Sequence, residues 1–162
     1  METPFCEAYI TGNTTVAGAA AAGTLIPLTW TAGPTQHGEA SATLTAATGK
    51  LTCKPGIYEF HFEGTIEGPL TSDSATSGDT TGTITFQFAK GGTLVTGAKI
   101  TSQDVTDGVR QAVSLTKIIE ITRDDLVAST PTNYVQVYAL GGDASGNDYL
   151  LREARLSAKR LY

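Results

Sequence analysis

The sequence predicts an all-β fold, a two-sheet antiparallel sandwich or jelly roll, and three observations carry that expectation. Segments of alternating apolar and polar residues recur along the 162 residues, with turn-forming residues between them. The composition is rich in Thr and Gly and low in charge, with 17% charged residues. The stretch Thr48 to Gly68, TGKLTCKPGIYEFHFEGTIEG, joins a turn, a short strand, a Pro-Gly turn and a long strand in one run. Length argues for one domain over residues 1–162, enough chain to bury roughly two thirds of its unfolded surface.

Each element follows from local chemistry. Gly49 supplies the positive φ of a tight turn, and Pro55-Gly56 sets φ at one turn position and frees it at the next. Beyond that turn, strand alternation sends Ile57, Glu59, His61, Glu63 and Thr65 to one face and Tyr58, Phe60, Phe62 and Ile66 to the other. The aromatic face must be buried. Tyr58, Phe60 and Phe62 are therefore the packing candidates, and any part of their face that one sandwich leaves uncovered is expected to be buried between subunits. Thr80 to Phe88 alternates Thr83, Thr85 and Gln87 against Ile84, Phe86 and Phe88. Strands are expected next over Leu94 to Ile100 and over Gln111 to Ile121, where Ala112, Ser114, Thr116 and Ile118 oppose Val113, Leu115, Lys117 and Ile119. Tyr134 to Leu140 sets Tyr134, Gln136 and Tyr138 against Val135, Val137 and Ala139. Such spacing favours a sandwich or jelly roll. The polar Pro69 to Thr81 stretch reads as a mobile surface loop or a partner-contact loop. Ala17 to Gly23 is small and of low complexity, either a flexible crossing or a stretch packed at a subunit axis. No internal repeat is evident.

The C-terminal run Tyr149 to Tyr162 fits two patterns. Leu151, Ala154, Ala158 and Leu161 have helical spacing, whereas Ala154, Leu156 and Ala158 alternate with Glu153, Arg155, Ser157 and Lys159 as a strand would. Arg152, Arg155, Lys159 and Arg160 lie here, four of the eleven basic residues. One reading makes them a solvated edge that discourages sheet pairing. The other makes them, with Leu161 and Tyr162, a contact to an acidic partner surface.

Several function classes are disfavoured. A net charge of −5 and pI near 4.9 repel phosphates, so no nucleic-acid partner is expected. No apolar run is long enough to span a membrane. METPFCEAYI has no basic region followed by an apolar core, so synthesis in a cytoplasm without a Sec signal is expected. Cys6 and Cys53 read as reduced, packed thiols. Only His37 and His61 could join them at zinc, and no ligand spacing supports it, so neither metal nor cofactor is expected. There is no G-x-S-x-G elbow, H-E-x-x-H, P-loop or dinucleotide fingerprint, and no catalytic residue is assigned. His61 reads as structural, and Glu63 with Glu67 as a solvated face. The run Gly141 to Asp148 has oxygen donors in Asp143, Asn147 and Asp148 suited to calcium, but these are also ordinary turn residues.

TG-x-L-TC-x-PG-x-Y-x-F-x-F resembles the middle of the complement C-one-q globular domain, a trimeric jelly roll of the tumour necrosis factor type. On this resemblance Phe5 to Thr11 is the first strand, Pro27 to Thr31 a short second one, and Phe88 to Val95 the family's Lys-Asn-Gly hairpin. Arg123 to Val127 stands where the family has Gly-Asp before a strand, and Leu156 to Leu161 closes the last strand. This position favours a strand over a helix at the C-terminus. Lys159 and Arg160 stand where the family has apolar residues, and no Gly-X-Y stalk is present. The resemblance implies a homotrimer, and the missing catalytic motifs lead to the expectation that it is not an enzyme. With the bare, charge-poor composition it leads to the expectation of a virion structural protein on the outside of a phage head. There the major capsid protein is the partner, contacted by the basic C-terminal end or by the adjacent Met1 to Pro4. The alternative is a trimeric recognition module, a receptor-binding tip or ligand-binding head.

Overall fold

The structure, a computed structural model, describes residues 5–16, 26–29, 32–37, 42–70, 81–102, 105–106, 109–141 and 148–162. In chain order the strands are β1 (Phe5–Val16), β2 (Ile26–Pro27), β3 (Ala32–His37), β4 (Ala42–Thr45), β5 (Lys50–Cys53), β6 (Gly56–Leu70), β7 (Thr81–Gly82), β8 (Ile84–Lys90), β9 (Thr93–Thr101), β10 (Val105–Thr106) and β11 (Arg110–Ile121). A short helix α1 (Arg123–Val127) precedes β12 (Tyr134–Gly141) and β13 (Asp148–Arg160). A 3-10 turn at Ala46–Thr48 joins β4 to β5, and Gly49 ends it at φ 68, the left-handed conformation expected of that glycine.

Two antiparallel sheets stack as a jelly-roll sandwich. One is ordered β11-β6-β13-β1-β3, the other β4-β5-β12-β8-β9, and β7 and β10 pair separately. Tyr58, Phe60, Phe62 and Ile66 of β6 are buried on the inner face, while their neighbours Ile57, Glu59, His61, Glu63 and Thr65 lie at intermediate depth on the outer one. β8 meets them from the opposite sheet. Phe60 and Phe88 lie with ring centroids 6.2 Å apart, Phe62 and Phe86 4.8 Å apart, both tilted as aromatic quadrupoles prefer. Val135, Val137 and Ala139 of β12 and Val113, Leu115, Ile119 and Ile121 of β11 extend the same core. The aromatic face is thus covered inside one subunit, because β8 supplies its own aromatic row, and it leaves no uncovered excess for a neighbouring chain.

The C-terminal run is a strand, and it occupies the centre of its sheet. β13 pairs with β1 on one side and β6 on the other, so the reading of a solvated edge is corrected. The helical spacing has a physical cause. Leu151 opposes Ile66 while Glu153 opposes Thr65, a bulge that places one extra residue, Arg152, in β13. Inward positions therefore change from Tyr149 and Leu151 to Ala154, Leu156 and Ala158, and the three-residue step from 151 to 154 imitates a helix. Gly64 of β6 sits under this bulge. A Cβ there would come within 3.0 Å of Leu151 Cδ1 and 3.1 Å of the Glu153 carbonyl oxygen.

The Lys90 to Thr93 hairpin turns through Gly91 (φ 58) and Gly92 (φ 83). Positive φ at both central positions matches the primed turn that suits the twist of paired strands. Three expectations shift. The second strand is Ile26–Pro27 rather than Pro27 to Thr31, because Ile26 and Pro27 are the residues that align with β12. The Thr80 to Phe88 run is interrupted at Thr83, so β7 and β8 pair with different strands. Arg123–Val127 is a helical turn rather than a strand lead-in, for a reason given below. Ala17 to Gly23, residues 71–80, residues 142–147 and Met1 to Pro4 lie outside the described residues, and with them most of the two loops singled out from sequence.

Cys6 on β1 and Cys53 on β5 lie in different sheets, and both are free and buried. Burial pushes the Cys6 thiol up to about 11 and Cys53 to about 12, with Glu7 adding at Cys6 and Cys6 adding at Cys53. Thiols so raised are poor nucleophiles at neutral pH. Two outcomes are expected. Adding a reductant leaves the melting temperature unchanged, and a drop of more than a few degrees would instead reveal a disulfide. Phe60→Ala lowers the unfolding free energy by roughly 3 to 5 kcal/mol in urea titration, and an effect near zero would remove the aromatic seam from the core.

Candidate functional site

The outward face of the five-stranded sheet carries the densest polar arrangement in the described structure. Register places side chains in rows across β1, β13, β6 and β11. Tyr9, Arg155, Glu63 and Ser114 form one row, Glu7, Ser157, His61 and Thr116 the next, and Phe5, Lys159, Glu59 and Ile118 a third. These rows exist because all four strands keep period-2 alternation here, so their polar positions coincide on one side.

Ion pairs bind the rows together. Arg155 Nη1 donates to Glu7 Oε1 at 3.2 Å, and its Nε lies 3.0 Å from Glu63 Oε1, within ion-pairing distance but not aligned as a hydrogen bond. The Tyr9 hydroxyl donates to Glu7 Oε2, a hydrogen bond that raises the phenol above its ordinary value. His61 contacts Thr116 Oγ1 through Nδ1 at 2.7 Å and Glu63 Oε2 through Nε2 at 3.3 Å, the structural role expected of it. At the far end of the face Glu67 Oε2 accepts from Arg152 Nε at 2.6 Å and Arg110 Nε at 3.1 Å. Arg152 first, and Arg110 with it, hold the Glu67 carboxyl below its usual value. Glu67 is thus a clamped anion at 14% side-chain exposure, not part of a solvated pair with Glu63.

Beside the first row, toward Thr65, Ala112 and Glu153, the face is hollow. A pocket of about 710 Å³ is lined by Tyr9, Glu63 and Thr65, by Ala112 and Ser114 of β11, and by Glu153 and Arg155 of β13, with Gly64, Val113 and Ala154 completing the lining. Small side chains on β11 make the hollow, and the bulge at Arg152 sets the course of β13 beside it. The signal for it in the sequence was the run of small residues at alternate positions of β11, which carries no meaning until β6 is laid beside it.

The basic C-terminal residues do not form one free positive patch. Arg152 and Arg155 are held by Glu67, Glu7 and Glu63. Arg160 donates from Nη2 to the Pro55 carbonyl at 2.8 Å and from Nε to the Tyr162 main-chain oxygen at 3.2 Å. Lys159 is exposed. The Leu161 amide donates to the Ile57 carbonyl at 2.7 Å, tying the chain end to β6, and the Tyr162 side chain is 84% exposed. The expected electrostatic patch is corrected by the register, which sets three acidic partners on β1 and β6 beside the arginines.

A second titratable cluster, missed from sequence, sits at the end of the sandwich. Thr122-Arg-Asp-Asp125 is a capping box in which the Asp125 amide donates to Thr122 Oγ1 and the Thr122 amide donates to Asp125 Oδ2 at 2.7 Å. That motif explains α1. Lys90 Nζ lies 2.7 Å from Asp125 Oδ2 and the Thr132 hydroxyl donates to Oδ1 at 2.9 Å. Burial opposes the charge, but Lys90, Thr122 and Thr132 outweigh it and hold the Asp125 carboxyl well below the usual carboxylate range. The cluster pins α1 to the hairpin. Among the described residues no group of three or more His, Cys, Asp or Glu is placed to hold a metal ion, and no helix is long and apolar enough to cross a membrane.

The fold and its outward face define a jelly-roll sandwich with a polar-lined pocket. Among solved structures the chain is similar to the globular domain of the zebrafish complement 1qA protein, at TM-score 0.57 and 14% identity, covering 98% of this chain and 98% of that one. The fold is therefore that of the complement C-one-q globular domain. No protein-family description matches the sequence, and no curated protein matches it.

Because the Asp125 carboxyl is depressed in the folded state, its contribution is present above the unfolded value near 3.9 and is lost as pH falls toward the folded value. Asp125→Asn is expected to destabilise the protein by roughly 1 to 2 kcal/mol at pH 7. The difference between variant and wild type, measured by urea unfolding, should shrink as pH drops below about 4. A difference that stays constant from pH 7 to pH 3 would remove the ion pair from the account.

Proposed function

We propose that the protein is a non-enzymatic binding head that acts as a homotrimer. The observation that supports it is the full-length likeness to a complement globular domain, spanning 98% of both chains. Since the Tyr58, Phe60 and Phe62 face is closed internally, subunit contact must use surfaces that remain open. Ile118 at 57% exposure and Val109 at 50%, on and beside edge strand β11, are the exposed apolar groups nearest the outward face.

The finer reading, decoration of a phage head with the major capsid protein as partner, draws on the charge-poor, Thr- and Gly-rich composition. On this reading Lys159 and Tyr162, the exposed residues of that end, are the contact candidates, since Arg152, Arg155 and Arg160 are held within the subunit. Recognition of a receptor or soluble ligand is the competing reading. Co-sedimentation with undecorated phage heads supports the first, and retention on a glycan or cell surface supports the second.

The trimer itself is read by light scattering, which should return about three times the 16.8 kDa chain mass. Ile118→Asp is expected to lower that mass while leaving the melting transition cooperative, since the side chain is exposed in the subunit. A wild-type monomer at micromolar concentration would overturn the trimer.

A further inference from the structure

We propose that the pocket on the outward face of the five-stranded sheet binds a primary alkylammonium group. This goes beyond the binding-head reading, names a ligand chemistry for one site, and stands on the pocket alone.

The volume, about 710 Å³, lies in the range of small-molecule sites, and the lining mixes an aromatic wall, small apolar floor residues and convergent polar groups. Part of its donor capacity is committed, although Arg155 Nε has no aligned acceptor. The Arg155 guanidinium is engaged by Glu7 and Glu63, and the Tyr9 hydroxyl proton goes to Glu7. Acceptors remain in excess. Glu153 is exposed on the pocket rim, Glu63 has 47% side-chain exposure, and the Ser114 and Thr65 hydroxyls can each accept as well as donate. Two carboxylates of the lining, Glu63 and Glu153, stand against the single guanidinium of Arg155, which Glu7 pairs from outside the pocket, so the site has net negative charge. A ligand that brings donors and positive charge is complementary to such a lining, whereas an anion is repelled. The Tyr9 ring adds a face on which an alkylammonium can rest. Ala112 leaves room for a methylene chain beside it, over the strand backbone at Gly64 and Ala154. The same chemistry can come from a free diamine or from a lysine side chain of another protein.

Titration of the isotopically labelled protein, followed by backbone amide NMR, tests this with cadaverine, with an Nα-acetyl-lysine methylamide and with 1,5-pentanediol as the uncharged counterpart. Cadaverine or the lysine derivative should shift amides of Tyr9, Thr65, Ala112 and Ser114, and pentanediol should not. Tighter binding of cadaverine identifies a free diamine as the source, and equal or tighter binding of the lysine derivative identifies a protein-borne lysine. Glu153→Gln should weaken the cation roughly threefold to fivefold, Tyr9→Leu about threefold, and Ala112→Leu should fill the floor and abolish it. Each variant's amide spectrum reports whether it is folded, and light scattering on the same samples reads the trimer separately. Equal binding of pentanediol, shifts mapping elsewhere, or unchanged affinity in both folded Glu153→Gln and folded Ala112→Leu would overturn the proposal.

Discussion

The aromatic seam between β6 and β8 is the contact on which the rest of this structure depends. Phe60 against Phe88 and Phe62 against Phe86 join the two sheets at their centre. Rings of this size bury large apolar areas, and tilted pairs add about 0.5 to 1.5 kcal/mol beyond that burial. Because β6 is held by this seam on its inner face, its outer face is held too: alternation leaves Glu59, His61, Glu63 and Thr65 no other direction. The outward rows are therefore a consequence of the core. Slipping β6 by one residue would expose the phenylalanines and bury the glutamates, which is why the register is strongly specified.

The outward face solves a problem of charge. Glu7, Glu63, Glu67, Arg152 and Arg155 crowd onto neighbouring strands, and single exposed ion pairs are worth little. Here they share partners. Arg155 bridges β1 and β6 from its place on β13, and Glu67 collects arginines from β11 and β13. Such sharing ties four strands laterally and consumes the cations, so an end that looks basic in sequence has little free positive charge. What remains unneutralised is acidic and lies around the pocket, in keeping with the overall charge of −5.

The bulge at Arg152 links these two layers. By adding one residue to β13 it turns Arg152 toward Glu67 while returning Ala154, Leu156 and Ala158 to the core. Gly64 tolerates the close approach of the bulged strand, where any side chain would press on Leu151 and the Glu153 carbonyl. The same local irregularity thus preserves the hydrophobic phase, positions a salt bridge and borders the pocket. Bulges are found where a strand must re-aim side chains, and this one does so in the middle of a sheet.

Period-2 alternation made the strands of β6, β8, β11 and β12 legible from residues alone, along with the buried faces of each, because a strand's two faces are a local property of its sequence. The turn at Gly49 was legible for the same reason, since left-handed φ favours glycine within the turn itself, whereas the hairpin at Gly91-Gly92 was read from the family resemblance. What the tertiary structure decided was which strands became neighbours. The C-terminal run reads as helix or strand until its bulge is seen opposite Thr65, and its arginines read as a patch until β1 and β6 bring glutamates to them. The aromatic face called for a covering, and only sheet stacking made β8 that covering rather than another subunit. The pocket was invisible in sequence because its lining comes from four strands separated by up to about 146 positions, and no local pattern records a hollow that arises between them.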